Sequence, residues 1–189
     1  GDVLQGLPRL RSGLSHGDDN RQTWQNKIRG IPEMPWLEEV RTKAGDDVLA
    51  LMLKTAIEVQ SPRYGRGGEF LECPVKVTYR EDWYLDPRIG GACNHTTRAP
   101  IEEDLFRYFY SACFAEVHGW SPRLSEFPEA LYPEHRNVRS SLETGNFADR
   151  FRVQLKGMPS KTVVSHIARD GHYYIHYDPS QCRSLTVRE

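Results

Sequence analysis

The amino-acid sequence predicts an α+β fold, with helices in the first two-thirds of the chain and a small antiparallel β-sheet in the C-terminal third. Apolar residues recur at helical spacing in the first part, whereas β-branched and aromatic residues are dense after residue 150. The 189 residues, of which 38% are hydrophobic and 27% charged, are typical of one globular domain with a core. No apolar run reaches the roughly 18 residues of a membrane helix. The sequence also lacks the pattern of a secretory signal.

Two helical regions are predicted before residue 60. Residues 21–29 place Trp24 and Ile28 about one turn apart, which favours a short helix with one apolar face. A longer helix is expected to begin near Trp36, after two prolines that break the chain. Gly45, followed by two aspartates, is expected to divide this longer region into two helices.

The strongest helix prediction covers residues 101–118. Pro100 stands at its N-terminal end, acidic residues fill its first turn, and Gly119 follows its last turn. Its apolar stripe predicts that this helix packs in the core. Residues 122–133 are predicted to form a second, shorter helix.

Strands are predicted where β-branched and aromatic residues are dense or alternate with polar ones. Asp170 and Gly171 are a turn signal between the last two predicted strands. A helix is also expected to start over residues 185–189 with Thr186 as its cap, and the sequence stops there as a truncated helix would. The predicted strands cover residues 73–79, 151–155, 162–167 and 173–177.

The charge and the cysteine and histidine patterns limit the possible functions of the chain. The net charge of −1 argues mildly against a domain that binds DNA tightly on its own, because phosphate neutralisation supplies much of that affinity. This argument does not apply to a module whose positive surface is supplied by another domain. The 4 cysteines have neither a CxxC pair nor the spacing of a zinc site, so we expect free thiols. His166, His172 and His176 predict no metal site, since the last two lie too far apart on one strand to share an ion without a third ligand.

Segments near both ends of the chain resemble a known family. The sequence Arg-Ser-Leu-Thr-Val-Arg-Glu at residues 183–189 resembles the start of the ninth of ten ordered motifs in DNA (cytosine-5) methyltransferases. Residues 162–166 and 170–176 resemble the bacterial branch of that family. Residues 3–8, Val-Leu-Gln-Gly-Leu-Pro, resemble the linker after the eighth motif. The middle of the chain resembles the family weakly, and this is the part of such enzymes that varies with target sequence.

The resemblance implies a parent enzyme with two lobes. The larger lobe binds S-adenosylmethionine and attacks a flipped-out cytosine with a cysteine in a Pro-Cys-Gln motif, and the smaller lobe reads the surrounding bases. This chain has no Pro-Cys-Gln, no Glu-Asn-Val and no Phe-x-Gly-x-Gly turn. We therefore expect it to be inactive alone and to hold no cofactor. The implied organisation is a connector (residues 1–20), a target-recognition domain (21–182) and a truncated ninth motif (183–189).

DNA-contacting residues are expected in three groups. Thr162, Ser165 and His166 lie where, in the family, the chain faces the DNA, and their side chains can bond phosphates or base edges. The alternative is an ordinary strand with polar residues on its solvent face. Asn94 and Arg98 carry side chains that read adenine and guanine edges, and the alternative for them is a turn network before the next helix.

The third group consists of basic residues in the last third of the chain, which we expect to anchor phosphates together rather than through one member. A solvated charged face is the alternative. Its members are Arg150, Arg152, Lys156, Lys161 and Arg169. The resemblance also implies a structural role, as a buried ion pair or cap that orders the recognition lobe against the catalytic one. The residues of this ninth-motif segment are Arg183, Thr186, Arg188 and Glu189.

The sequence thus predicts the DNA target-recognition domain of a cytosine-5 methyltransferase. From the resemblance we expect a bacterial, cytoplasmic protein of restriction-modification or host protection, whose partners are double-stranded DNA and the catalytic lobe of its own polypeptide, with no membrane. One alternative is a stand-alone nucleic-acid or protein interaction module. Another is a nucleic-acid enzyme that uses Cys93 beside His95 as a nucleophile, although residues two apart rarely have productive geometry.

Overall fold

A computed structural model describes residues 2–134, 150–160 and 171–189, together with the single positions 138 and 142. The helices within these ranges are α1 (Asp2–Gln5), α2 (Arg21–Arg29), α3 (Leu37–Ala44), α4 (Asp46–Glu58), α5 (Glu81–Tyr84) and α6 (Glu102–His118). The strands are β1 (Gly67–Glu72), β2 (Gly91–Thr96), β3 (Val153–Gln154) and β4 (Ile175–His176). Single 3₁₀ turns cover Ile31–Glu33, Leu124–Glu126, Glu129–Leu131, Gly171–Tyr173 and Pro179–Gln181. The α+β class is confirmed.

Helix α6 is the centre of the core. It is buried from Leu105 to Ala115, and Phe109, Tyr110 and Phe114 lie inside a cluster that also contains the apolar faces of α2, α3 and α4. The predicted α2 is confirmed, and its Asn20 cap accepts a hydrogen bond from the backbone N–H of the third helical residue at 2.9 Å. These helices form the rigid body against which the other segments pack.

Two glycines end helices as predicted. Gly45 adopts a φ of 94°, which separates α3 from α4, because a residue with a side chain rarely adopts that backbone angle. Gly119 adopts a φ of 78° after α6, and its N–H donates to the carbonyl of Ala115 at 2.9 Å. The split of the longer helical region and the end of the strongest helix are therefore confirmed.

The antiparallel sheet lies in the middle of the chain rather than in its last third. Strands β1 and β2 pair in register from Gly67 opposite Thr96 to Glu72 opposite Gly91. Gly67 is required here, since a Cβ atom at this residue would lie 1.8 Å from the carbonyl oxygen of His95. Residues 73–90, between the two strands, form a long excursion that includes α5.

The C-terminal third contributes two short strands. Strands β3 and β4 lie within the predicted ranges 151–155 and 173–177, but they pair in parallel over two residues each. Ile175 also forms an antiparallel bridge with Ser184. The predicted strand over residues 162–167 lies outside the described residues.

Three element predictions were wrong. Residues 185–189 form no helix, because the N–H of Arg188 donates to the carbonyl of Asn94 on β2 instead of to a carbonyl within the segment. Residues 73–79 form no strand, because Pro74 cannot donate a ladder hydrogen bond and the burial of Val77 comes from packing outside a sheet. Residues 122–133 form two single 3₁₀ turns instead of a helix, since Pro128 removes a backbone donor and restricts the residue before it. In the part of the chain that the structure describes, no helix is long and apolar enough to cross a membrane.

Candidate nucleic-acid interface

The first and last described segments of the chain lie side by side. The backbone N–H of Leu10, which is fully buried, donates to Oε1 of Gln181 at 3.0 Å. Arg9 donates to the Ser180 hydroxyl and lies 3.3 Å from Asp178. The predicted connector thus packs against the C-terminal segment. We call residues 7–10, His95 and residues 176–189 the junction.

A buried histidine links three parts of the junction. His95 on β2 is fully buried, and its Nδ1 lies 2.9 Å from the Thr186 hydroxyl while its Nε2 lies 2.8 Å from the carbonyl oxygen of Pro8. Since that carbonyl can only accept, Nε2 carries the proton and the Thr186 hydroxyl donates to Nδ1. Burial lowers the pKa of His95, so the neutral ring is the stable form.

The ninth-motif segment carries a buried ion pair. Arg183 donates from Nη1 and Nη2 to the two carboxylate oxygens of Glu189, at 2.6 Å each, and both side chains are 1% exposed. Although burial itself raises it, Arg183 lowers the pKa of Glu189 to about 2. Thr186 N–H donates to Glu189 at 2.8 Å and its hydroxyl accepts from the Glu189 N–H at 3.4 Å, which is the reciprocal pattern of a capping box.

The two described histidines of the last third belong to different clusters. His176 is buried, accepts the Asp178 N–H on Nδ1 at 3.0 Å and lies 3.7 Å from Glu189. Burial and the charge of Arg183 outweigh that carboxylate and lower the pKa of His176 to about 3. His172 instead lies 3.1 Å from the hydroxyl of Tyr108. Within the described ranges, no group of three or more His, Cys, Asp or Glu side chains could hold a metal ion.

One group of predicted DNA-contacting residues lies on the hairpin. Asn94 is an exposed residue of β2 with a φ of 56°, and its carbonyl accepts the N–H of Arg188 at 3.2 Å. Arg188 also donates from Nη2 to the carbonyl of Tyr84 at 2.7 Å. Arg98 is half-buried, and its carbonyl accepts the N–H of Gly13 at 2.7 Å. The backbone of Asn94 therefore lies beside the ninth-motif segment.

A second group lies beside β3. Arg150 and Arg152 are half-buried, and Lys156 is exposed. Arg152 lines a cleft of about 450 Å³ together with Trp120 and Met158. The remaining predicted DNA-contacting residues lie outside the described residues. They are Lys161, Thr162, Ser165, His166 and Arg169.

The junction is connected to the strands beside both of these groups. Strand β2 is held to it through His95 and Thr186, and β3 is held to it through β4, whose Ile175 bridges to Ser184. The structure therefore brings residues of the middle and last thirds of the chain to the two flanks of one segment.

Comparison with known proteins relates the chain to a methyltransferase. It is 39% identical over 116 residues to a type II methyltransferase of Bacillus paralicheniformis, a match that covers 61% of this chain and 23% of that relative. The chain thus spans less than a quarter of the relative's length. Neither a protein-family model nor a solved structure matches the chain.

Sequence reasoning missed the aromatic surface of the hairpin excursion. Tyr79 and Trp83 are 58% and 74% exposed; Tyr79 ends the strand predicted over residues 73–79, and no helix or strand was predicted for Trp83. The available signal was the density of aromatic residues in Thr-Tyr-Arg-Glu-Asp-Trp-Tyr-Leu, a stretch without helical or strand periodicity. Large aromatic residues with no predicted core to join are candidates for an exposed interface.

Proposed function

We propose that this chain is the DNA target-recognition domain of a DNA (cytosine-5) methyltransferase. In the parent enzyme a separate lobe binds S-adenosylmethionine and transfers its methyl group to C5 of a flipped cytosine, and this chain chooses the sequence around that cytosine. The proposed setting is the cytoplasm of a bacterium, in restriction-modification or host protection. The chain alone transfers no methyl group.

The similarity to a type II methyltransferase carries this proposal. The match covers 61% of the chain but only 23% of the relative, as expected if a domain is one part of a longer enzyme. The resemblance of residues 183–189 to the ninth motif of cytosine-5 enzymes refines the class. The close approach of Leu10 and Gln181 supports a module whose two connections to another lobe leave from one place.

Within the described ranges, the glycine cluster at the start of the hairpin does not have the setting of a turn that binds the methyl donor. Glycine turns that bind nucleotide-like cofactors connect a strand to a helix. Gly65 instead precedes strand β1, Gly67 and Gly68 are the first residues of that strand, and Gly67 packs against His95. In addition, burial raises the pKa of the Cys113 and Cys182 thiols well above their ordinary value, which disfavours the thiolate that attacks a base.

The proposed roles of the residues in DNA binding follow from their side-chain chemistry. Asn94 can form paired hydrogen bonds with adenine, and Arg98 can do so with guanine, so these two residues supply base readout. Arg150, Arg152 and Lys156 supply phosphate contacts, which position the domain without reading sequence. The ninth-motif residues hold the two flanks in place. Thr162, Ser165 and His166 stay predicted contacts of the same interface.

Selection from a random DNA pool tests the proposal. The chain is incubated at low salt with random duplexes, and the retained pool is sequenced after several rounds. We expect enrichment of a short site that contains a cytosine, and loss of one position of that site in Asn94→Ala. Ile57→Ala, on the exposed side of α4, is the matched control and should select the wild-type site. Retention without enrichment, or no retention at low salt, contradicts sequence recognition by the isolated chain.

A further inference from the structure

The excursion between β1 and β2 exposes aromatic side chains at its tip. Trp83 is 74% exposed, more than any other large apolar residue in the described part of the chain, and Tyr79 is 58% exposed. Exposed aromatic groups of this size cost solvation free energy unless a partner covers them, so a cluster of them marks a binding surface. We call residues 79–89 the tip.

Arginine side chains accompany the exposed rings. The Arg80 guanidinium lies over the Trp83 ring, 4.8 Å from its centroid. A second pair, Arg63 over Tyr64 at 5.4 Å, lies on the turn before β1. Aromatic rings and guanidinium planes are the side chains on which nucleic-acid bases stack.

A cleft lies between the tip and the second pair. Its volume is about 690 Å³, and its lining includes Arg63 and Tyr64 on one side and Leu85 to Pro87 on the other. The remaining wall comes from Cys73 to Val75 and the glycines at the start of β2. The carboxylates of Glu72 and Asp86 also line the cleft beside its tyrosine, arginine and proline side chains, which suits a flat, uncharged ligand better than a phosphate.

The tip is continuous with the predicted base-reading residue on the hairpin. Arg188 donates to the Tyr84 carbonyl at 2.7 Å, and its own N–H donates to the Asn94 carbonyl at 3.2 Å. These two hydrogen bonds join the tip, the ninth-motif segment and Asn94 into one surface. A DNA duplex held at Asn94 would meet the tip next.

Charge decides which part of DNA the tip can bind. Arg88 lies 2.6 Å from Asp86, and Arg80 lies 3.4 Å from Asp82, so both tip arginines have carboxylate partners. Glu81 adds a further exposed carboxylate. Phosphates gain little from such a balanced surface, whereas stacking on a base needs no net charge.

We propose that the tip and its cleft bind, by stacking, a base that leaves the stack of the bound DNA, with Trp83 as the main stacking residue and Tyr64 as the second. This inference rests on the proposed function and adds a sequence-tolerant contact beside the base readout at Asn94. The contact supplies affinity without counterion release, which allows a domain of net charge −1 to hold DNA.

Salt-dependent binding measurements on the whole chain test this proposal. Fluorescence anisotropy gives Kd for the selected duplex over a series of salt concentrations, for wild type, Trp83→Ala, Trp83→Phe and the control Ile57→Ala. We expect Trp83→Ala to weaken binding roughly tenfold to a hundredfold at every salt concentration, with an unchanged slope of log K against log salt. Trp83→Phe should restore most of the affinity, since it keeps a ring.

A direct stacking signal accompanies these measurements. Duplexes that carry 2-aminopurine at successive positions of the selected site should show one position whose fluorescence changes on binding of wild type and of Trp83→Phe, but not of Trp83→Ala. An affinity of Trp83→Ala within twofold of wild type overturns the proposal and assigns the tip to a protein partner. Loss of affinity with a shallower salt slope also overturns it, because phosphate contacts would then be the cause.

Failure of the proposed function has a different signature. If wild type selects no duplex site, binding of a single-stranded thymidine oligonucleotide is measured at low salt. Binding to that oligonucleotide that depends on Trp83 keeps the stacking cleft and rejects target recognition, whereas no binding in either assay rejects both. A selected site combined with unchanged affinity in Trp83→Ala rejects the cleft alone.

Discussion

Polar and charged side chains lie inside the protein at the junction, whereas aromatic side chains lie outside it at the tip. Arg183, Glu189 and His176 are each at most 3% exposed in their side chains, while Trp83 is 74% exposed. The hairpin reaches both regions, since His95 on β2 enters the junction and the tip lies between β1 and β2. The usual arrangement of polar surface and apolar interior is reversed in both places.

This difference in burial indicates the role of each region. At the junction the charged side chains have partners within reach, so their burial fixes one geometry of the two segments that meet there. Removing these charges from water costs free energy. The exposed rings of the tip contribute little to the stability of the fold, because folding buries little of their surface. We therefore expect substitutions at the junction to change stability, and substitutions at the tip to change binding.

Breaking the buried ion pair should have the largest effect on stability. Glu189→Gln leaves the Arg183 guanidinium buried without a counter-charge, which costs about 3–5 kcal/mol in the free energy of unfolding. Urea denaturation followed by circular dichroism measures this change. Arg188→Gln is the matched control in the same segment, because Arg188 is exposed, and it should cost about 1 kcal/mol or less. Equal losses in both variants would contradict a buried, structural pair.

Acid should destabilise the junction in two steps. His176 has a pKa of about 3 in the folded protein and an ordinary value of 6.5, so the unfolded chain binds a proton that the folded chain excludes. Stability from this group is complete above about pH 6.5 and falls as the pH decreases towards 3. Glu189, with a folded pKa of about 2 against 4.5, adds a second loss below about pH 4.5. The groups that face His176 are Arg183, Glu189, Asp178 and His95.

Removal of the buried imidazole tests the first step. His176→Gln should flatten the fall in unfolding free energy between pH 6.5 and 4.5 by up to about 1.4 kcal/mol per pH unit. Denaturation midpoints at several pH values measure the slope. The exposed His16 provides the control, since His16→Gln should keep the wild-type slope. A wild-type slope in His176→Gln would show that this histidine is already charged in the folded protein.

Phosphate contacts beside β3 should affect binding and leave folding unchanged. Lys156 is exposed, so Lys156→Ala should change the free energy of unfolding by less than about 0.5 kcal/mol. If its ammonium group binds a phosphate, the slope of log K against log salt becomes shallower by about 1. The same salt series on Lys54→Ala, an exposed residue of α4, should retain the full slope. An unchanged slope in Lys156→Ala removes that residue from the interface.

The smallest stability effect is expected at the tip. Trp83→Ala should change the free energy of unfolding by less than about 0.5 kcal/mol, because the ring is mostly exposed. Thermal or urea denaturation of the variant used for the DNA measurements provides this value. A loss comparable with that of Glu189→Gln would mean that the tip is part of the core, and the proposed separation of stability from binding would then be wrong.

Local signals made helices α2, α3, α4 and α6 predictable. Proline before α6, glycine after it and glycine between α3 and α4 all act within a few residues, and their elements were found where the sequence placed them. Strand β1 was not predicted, since Gly67 and Gly68 give it no alternation and its partner β2 comes after an excursion of 18 residues, 73–90. Strands depend on such distant pairing, which one sequence does not display.

The candidate site was only partly predictable, because some of its contacts are local and others join distant residues. The contact between His95 and Thr186 joins residues 91 positions apart, so their shared burial could not be read from either segment alone. The cap contacts of Thr186 with Glu189 are local, three residues apart, and their signature was visible in the sequence. Exposure of Trp83 depends on which residues cover it in the fold, and the sequence showed only that aromatic residues are dense there.

A transplanted domain tests the central claim, that this chain chooses the DNA sequence of a cytosine-5 methyltransferase, most directly. In the Bacillus paralicheniformis enzyme, the segment that matches this chain is replaced by the chain, and the hybrid is expressed in bacteria without DNA methylation. Nucleoside analysis and genome-wide methylation mapping then identify the modified base and its context. We predict 5-methylcytosine within the site that the isolated chain selects. An active hybrid that keeps the site of the original enzyme, or that modifies another base, would contradict the account.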